Sequence, residues 1–575
     1  LSNYLCRRRF ESFALGPSAP STRLDRDWAR LVEWAAGTET GDVSEIEGVP
    51  ESSPILREIT SGQGLHNPVG CPNAAECHVM RARKEAEKAR LVIVNHHLFF
   101  ADLGLREKGA GVLPAYDAVI FDEAHRLEDV ATEFFGLTSS LREVEATMAQ
   151  ADRAMRDGED GAVEGRARGR RRRARDPVLA ETSRAAASFF EAIGRRMGDL
   201  AAARRSGRWS LAEIQPVARI GLGGEDTYLD ERTERLYHQL DDLLENASIR
   251  VSERAGDADL GASVSGRIAD HRDALAAVLD RGLENQVYWA EVSAEDASAT
   301  RIGASPVDLA PLFRERVFEK VGSVVMTSAT LSADGTMQHL SATIGYPEAE
   351  AESHVMESPF DLAGASILYI PEDVPAPFDD GAAERVASEV TRLVELTGGG
   401  ALVLFSSWRA MKRCFGICRD TLRDYEIFCQ GQAPKDELTR RLRESGDAVL
   451  LATASFREGV DVPGRALRLV VMDKIPFGVP DDPVIEARMA RIRSEGGDPF
   501  TRYQLPSAAI AMKQGLGRLI RTGTDRGVLA ILDPRFWTRS YGKKLLRALP
   551  GCPVTREFAD VEEFWGRMSA PRPGR

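Results

Sequence analysis

Short, unbroken apolar runs punctuate the first and last parts of the chain and give way to helical periodicity between them. In the first part, Leu91-Val92-Ile93-Val94 and Val119-Ile120-Phe121 are bounded by polar residues. Continuous rather than alternating apolar runs suit strands of a parallel sheet that is covered on both faces. Residues 1–90 read as irregular, with Gly and Pro in TSGQGLHNPVGCPNAAEC, apart from a helical pattern in HVMRARKEAEKA. From about 135 to 290 the pattern changes, and the segments SSLREVEATMAQADRAMR, LAETSRAAASFFEAIGRRMGDLAAARR, ERTERLYHQLDDLLENA and IADHRDALAAVLDRGLENQ carry apolar residues at helical spacing. A helical insertion is expected there. Unbroken apolar runs return at GSVVMTSATLS, and beyond about residue 355 the runs ASILYI, ALVLFS, AVLLATA, LRLVVMD and GVLAILD recur with helical patterns between several of them. Strands alternating with helices predict a second, mostly parallel sheet.

Length and charge narrow this picture. A chain of 575 residues exceeds a single core, so roughly two to four domains are expected. The net charge of −13 excludes a protein that coats nucleic acid through overall basicity, while leaving room for a local basic groove. No apolar run reaches the length of a membrane span, and LSNYLCRRRF lacks the apolar core of a signal peptide. A cytoplasmic protein without a membrane segment is expected. The first residue is not Met, and SNYLC reads like the inside of a domain, so the chain is expected to be a fragment whose upstream part is absent. Seven cysteines in a chain of this size suit reduced thiols or a metal site better than a disulfide scaffold. The run RARGRRRRAR, residues 166–175, has two readings: a solvated loop, or a contact with a phosphate backbone.

The chemistry begins where the run 119–121 ends in Asp122-Glu123-Ala124-His125. Carboxylates at the carboxyl end of a strand lie where open α/β sheets bind ligands. Asp122 there can hold Mg²⁺, Glu123 can orient and deprotonate an attacking water, and His125 can couple the site to a neighbouring loop. Three distant pieces strengthen this reading: Thr327-Ser328-Ala329-Thr330-Leu331 after an apolar run, FREGVDVPG (Phe456 to Gly464) after AVLLATA, and QGLGRLIR (Gln514 to Arg521). Arg518 and Arg521 are three apart, so both are expected on one helix face. Paired guanidiniums suit a γ-phosphate that gains charge in a transition state.

These motifs in this order, DEAH, SAT, EGVD and QxxGRxxR, resemble those of superfamily-two helicases. VIVNHHLFFAD, DKIPFGVPDDPVIEAR and YQLPSAAIAMKQGLGRLIR are similar to the DinG/XPD-like iron–sulfur DNA helicases, the bacterial DinG/YoaA branch in particular. The resemblance implies an α/β architecture of two RecA-like parallel-sheet motor domains, with an iron–sulfur-type insertion and a helical arch inserted in the first. The expected division is a remnant of motor domain 1 with the iron–sulfur-type insertion over 1–90, motor domain 1 with DEAH over 91–135, the arch over 136–300, the return of motor domain 1 over 301–355, and motor domain 2 over 356–575. The implied activity is ATP- and Mg²⁺-dependent unwinding of single-stranded or forked DNA by a monomeric motor moving 5′ to 3′. By motif, Asp122 and Glu123 handle Mg²⁺ and water, Ser328 and Thr330 couple hydrolysis to strand movement, Gly459 and Asp461 line the cleft, and Gln514, Arg518 and Arg521 reach the phosphates. Phe405-Ser406-Ser407 matches the family's strand end at the DNA backbone.

The chain departs from the family in three places. No G-x-x-x-x-G-K-[ST] phosphate loop occurs in the 575 residues. Of the four cysteines that ligate a four-iron, four-sulfur cluster, Cys6, Cys71 and Cys77 match three, while Gly64 stands near the fourth with His66 close by. A cluster completed by His66, a zinc site, and a metal-free loop all stay open. Arg457 replaces the aromatic residue usual before the motif's Glu, and Cys414, Cys418, Cys429 and Cys552 read as small core residues. The alternative to a motor is a remnant that holds single strands by stacking and charge without hydrolysis. A fused upstream nuclease domain would be a further variant, but the chain shows no acid cluster of that kind.

Overall fold

The computed structural model describes the chain except residues 1–2, 15–22, 50–52, 62–70, 72, 108, 110, 162–174, 205–216, 223–229, 257, 294–295, 297–298, 333–334, 378–380, 458, 480–481, 550 and 570–575. Its contacts group into two compact units. One comprises Leu1–Ala118, Leu141–Phe189 and Glu231–Ala276, the other Val119–Ser140, Phe190–Asp230 and Ala277–Arg575.

The first unit is helical. Helices Arg7–Ala14, Arg23–Gly37 and Pro54–Ile59 enclose a small core of Leu5, Leu31, Ala35, Ile46, Ile55, Leu56 and Ile59. This corrects the expectation of irregular chain over 1–90. The apolar positions that build this core are dispersed among polar ones, and no single long amphipathic stripe announces them. In the same unit, Leu141–Gly161, Glu231–Arg254 and most of Ala258–Asp280 are long helices, as their spacing predicts. They bury Val144, Met148, Met155, Leu240, Leu244, Val251, Val264, Ile268 and Leu275. Polar ties join them: Thr147 Oγ1 meets His271 Nε2 at 3.0 Å, and Arg272 binds Asp241 through two hydrogen bonds.

The run Leu91–Val94 is not a strand. It joins no ladder, and Leu91 and Ile93 are 73% and 90% exposed. An apolar run becomes a strand only where a neighbour completes its hydrogen bonds. None among the described residues does so here.

The second unit holds three sheets. Strand β1 (Ala118–Phe121) pairs with β6 (Ser323–Met326). Strands β2 (Leu137–Ser140), β3 (Val217–Gly221), β4 (Gln286–Ser293) and β5 (Arg301–Pro306) form an antiparallel sheet in the order β2-β5-β4-β3. The insertion is therefore not purely helical. Trp289 on β4 is buried and donates Nε1–H to Ser305 on β5, a cross-strand contact that helical spacing cannot reveal.

The third sheet has seven strands: β7 (Ser366–Tyr369), β8 (Ala401–Phe405), β9 (Ile427–Cys429), β10 (Val449–Thr453), β11 (Leu469–Met472), β12 (Gly527–Ile531) and β13 (Val554–Thr555). The order is β13-β7-β12-β11-β8-β10-β9, parallel throughout. Strand alternation sends Leu402, Leu404, Leu450, Val470, Met472 and Leu529 to one core, and Ala401, Val403, Phe405, Leu451, Val471 and Val528 to the other. Two buried faces explain why these strands read as continuous apolar runs. The turn into β8 admits only glycine at position 399: φ is +82°, and a Cβ would lie 1.9 Å from the Asp447 carbonyl oxygen.

The side to which the connections run switches around β8, whose neighbours are β10 and β11. The loops that leave the carboxyl ends of these three strands therefore open into one crevice, the usual ligand position in such sheets. Asp473, just after β11, is buried there and accepts hydrogen bonds from the Ser406 N–H (2.9 Å) and hydroxyl (3.0 Å) beyond β8. Burial pushes its pKa up to about 6. The fold thus favours the protonated form, and the resulting penalty is full above about pH 6 and fades as pH falls toward the ordinary carboxylate range. Asp473→Asn should remove this dependence. Denaturant titrations at pH 7 and 4.5 should show wild type gaining about 2 kcal/mol on the variant at the lower pH; no relative change would contradict the assignment.

Candidate active site

The DEAH and SAT segments form one hydrogen-bonded unit. The Thr327 N–H donates to the Phe121 carbonyl (2.8 Å), and the Ala124 N–H donates to the Thr327 carbonyl (3.0 Å). These backbone bonds extend the β1–β6 pairing past the strand ends. The Thr327 hydroxyl donates to Asp122 Oδ1 (3.0 Å), which also accepts the Glu123 N–H (2.9 Å). Ser328 Oγ lies 2.8 Å from His125 Nδ1 and donates to Glu123 Oε2 at 3.4 Å. The same Oγ accepts the Thr330 N–H (3.1 Å), and Thr330 Oγ1 is 3.4 Å from His125 Nδ1.

The chain turns sharply to achieve this. Glu123 has φ of 49°, in the left-handed region, a cost of about 1–2 kcal/mol for a residue with a Cβ. Such strain persists only where the surroundings fix it, and it collects at functional sites. Here the turn leaves both carboxylates exposed and buries the imidazole beside Ser328. The arrangement presents two acids at a strand end. A hydroxyl and an imidazole behind them can report any movement of Glu123.

The glycine-rich arginine motif lies in the same unit but not as the sequence spacing implies. Helix Leu505–Leu516 carries Gln514 and stops before Arg518 and Arg521, which follow it in a turn and a loop. The expectation of one shared helix face is corrected. Gly515 packs against β8 and β11, where a Cβ would meet Leu404 at 3.2 Å and Met472 at 3.3 Å. With Gly517 close behind, the helix is poorly supported past this contact. The arginines converge through the loop after β10 instead. Arg518 Nε donates to the Arg457 carbonyl (2.6 Å), and Arg521 Nη2 donates to the Val460 carbonyl (3.4 Å) with Asp461 at 3.9 Å. Gly459 has φ of +65° and faces Lys435 Nζ, which is bound to the Ser455 carbonyl at 2.7 Å. Asp525 organises the arginine loop by accepting the N–H groups of Arg521, Thr522 and Gly464 and the Thr522 hydroxyl.

Sequence reasoning missed Lys513, whose ammonium donates to the Ser332 carbonyl (2.8 Å) and ties this helix to the segment after the SAT motif. Its only signal is its place beside Gln514. Ser406 and Ser407 lie at the crevice, but both hydroxyls are engaged, Ser406 on Asp473 and Ser407 as the cap of helix Trp408–Thr421.

Cys6, Cys71 and Cys77 lie in the first unit. Cys71 and Cys77 flank a single turn, Ala74–Glu76, and Cys77 begins helix His78–Lys88. Burial pushes the Cys6 thiol up; Arg9 works against this, while Cys71 and Cys77 are near enough to add to it. Three neighbouring free thiols are donors of the kind that soft metals take. Among the described residues, however, no three His, Cys, Asp or Glu side chains are placed to hold a metal ion. Gly64 and His66 lie outside the described residues, as do Glu458 and all of the arginine run but Arg175. Cys414, Cys418, Cys429 and Cys552 are buried in the seven-stranded sheet's cores. No described helix is long and apolar enough to cross a membrane.

Known proteins align with this arrangement. Residues 390–552 match the helicase C-terminal domain family. The chain is 33% identical over 564 residues to the ATP-dependent DNA helicase YoaA of Escherichia coli, covering 98% of this chain and 83% of that protein. It is 31% identical over 555 residues to the ATP-dependent helicase DinG of Mycobacterium tuberculosis, covering 95% of this chain and 77% of that protein. A solved XPD helicase superposes with a TM-score of 0.50 at 15% identity over 83% of this chain and 75% of that one.

The Asp525 bonds generate a direct test. Asp525→Ala leaves several loop donors without an acceptor and should cost about 2–4 kcal/mol of stability in denaturant unfolding. A loss below about 0.5 kcal/mol would show that water replaces the carboxylate freely.

Proposed function

The chain belongs to the DinG/XPD-like helicases of superfamily two, with YoaA and DinG among its relatives, and we propose that it unwinds DNA by hydrolysing ATP at the DEAH turn while moving 5′ to 3′ along a single strand. One observation carries the mechanism: Ser328 contacts both Glu123 and His125, which couples the base we assign to the SAT segment. Asp122 takes the Mg²⁺ of the nucleotide. Glu123 accepts a proton from the attacking water. Ser328 and Thr330 pass the resulting shift to the strand-moving segment, while Gly459 and Asp461 form the facing wall.

Arg518 and Arg521 stabilise the charge that develops on the transferred phosphoryl group. Both are held by carbonyls of the 457–460 stretch, and Arg521 also has Asp461 at 3.9 Å; a phosphate makes stronger charge-assisted bonds than those carbonyls do. The ATPase test uses the protein expressed from its full reading frame.

In that protein, Mg²⁺-dependent ATP hydrolysis should rise with single-stranded DNA. Glu123→Gln should keep nucleotide affinity and lose turnover, because it removes the base and leaves the metal ligand. Arg521→Ala should lower kcat by about 10³-fold or more, far beyond its effect on ATP binding. Equal losses in kcat and affinity would make Arg521 a ground-state ligand. DNA binding with no hydrolysis under any condition would favour the non-motor reading.

We further propose that Cys6, Cys71 and Cys77 ligate an iron–sulfur cluster, with His66 or an external group in the fourth position. When bound, the cluster cross-links the helical domain over 1–90, whose core is small. Anaerobically purified protein should contain iron and absorb broadly in the visible range. Cys77→Ser should abolish both. Stoichiometric zinc without iron in wild type would replace the cluster with a tetrahedral site.

A further inference from the structure

A buried polar cluster stands a few residues beyond the DEAH turn. Arg488, on helix Pro483–Ser494, is 8% exposed. Its Nη1 donates to Glu128 Oε1 (2.6 Å), its Nη2 to Thr132 Oγ1 (2.6 Å) and its Nε to the Val307 carbonyl (3.2 Å). The Tyr503 hydroxyl donates to the same Glu128 oxygen at 2.8 Å. Burial raises the pKa of the Tyr503 phenol and the charge of Glu128 adds to this, so the hydroxyl stays a donor.

An ion pair this buried is weak evidence for stability, because apolar replacements of similar volume often serve as well or better. Its placement suggests another role. Glu128 lies in the first turn of helix Leu127–Phe134, joined to His125 through the single turn Ala124–Arg126. Tyr503 lies in the π-helical turn Phe500–Gln504, which runs directly into helix Leu505–Leu516. That helix carries Gln514 near its far end, with Arg518 just beyond. Twelve residues make a rigid arm of about 18 Å. Between arm and DEAH turn, a cavity of about 20 Å³, room for about one water molecule, lies among His125, Glu128, His339 and Ile510.

We infer that Glu128, Arg488 and Tyr503 form a pivot between the DEAH turn and the Leu505–Leu516 arm, acting as positioning residues that convert phosphate contact at one end of the arm into strand movement. The inference rests on the ATP-motor reading of the site. Directional hydrogen bonds hold a hinge point in register where apolar contacts would let it slide. The π-turn beside Tyr503 supplies local give in the arm's attachment.

The test compares full-length wild type with Glu128→Met/Arg488→Met, Arg488→Lys and Tyr503→Phe. It measures melting temperature, kcat and KM for DNA-stimulated ATP hydrolysis, and base pairs unwound per ATP. The double variant should keep KM within about twofold and lose at least tenfold in base pairs unwound per ATP. Arg488→Lys, which keeps the charge and loses the fork, should be intermediate. Tyr503→Phe should lower the ratio about threefold at an unchanged melting temperature. Wild-type coupling in a folded double variant would reduce the cluster to a structural role. If that variant does not fold, wild-type coupling in Tyr503→Phe overturns the pivot equally. A wild type that hydrolyses no ATP overturns the motor reading and the pivot together, whereas normal hydrolysis with intact coupling in the variants overturns the pivot alone.

Discussion

The structure around the site depends on the bonding of Thr327 to the end of β1. One residue satisfies Phe121 and Ala124 through its backbone and, 205 residues away in sequence, Asp122 through its hydroxyl. Each bond contributes only about 1 kcal/mol on its own. Together they fix the exit direction of the chain after Phe121. That direction places Glu123 in a left-handed conformation, exposes two carboxylates and turns His125 back onto Ser328. Without these bonds the DEAH residues would be an acidic loop with no defined geometry.

The second half of the machinery is positioned by different physics. The seven-stranded sheet is buried on both faces, and its rigidity comes from apolar area and close packing, as the glycine at 399 illustrates. Only its carboxyl-terminal loops carry polar function. There, a few buried carboxylates hold the backbone: Asp473 under Ser406, Asp525 under the arginine loop, and Asp533 beneath Ile475 and Arg535. A stiff sheet with carboxylate-braced loops can present arginines to a ligand while letting the loop ends move.

Sequence patterning made this sheet legible because parallel strands buried on both sides must be continuously apolar. All five long runs after residue 355 became strands, while β9 and β13, with three and two paired residues, were too short to announce themselves. The same logic failed at Leu91–Val94, since pattern reports apolarity and not the presence of a pairing partner. It also failed at Arg518 and Arg521, where i,i+3 spacing suggested a helix that Gly515 and Gly517 help to end. Asp122, Glu123, His125 and Ser328 were legible as motifs, and their mutual bonding was not, because contacts between residues so far apart leave no local trace. Arg488, Glu128 and Tyr503 were invisible for the same reason.

The central claim is that the DEAH turn and the arginine loop face one nucleotide. A structure of the full-length protein with Mg²⁺ and ADP–beryllium fluoride tests it most directly. The account predicts Mg²⁺ against Asp122, a water beside Glu123, and Arg518 and Arg521 released from the 457–460 carbonyls onto the fluoride group. Nucleotide bound elsewhere, or bound at the DEAH turn with both arginines still on those carbonyls, would contradict it.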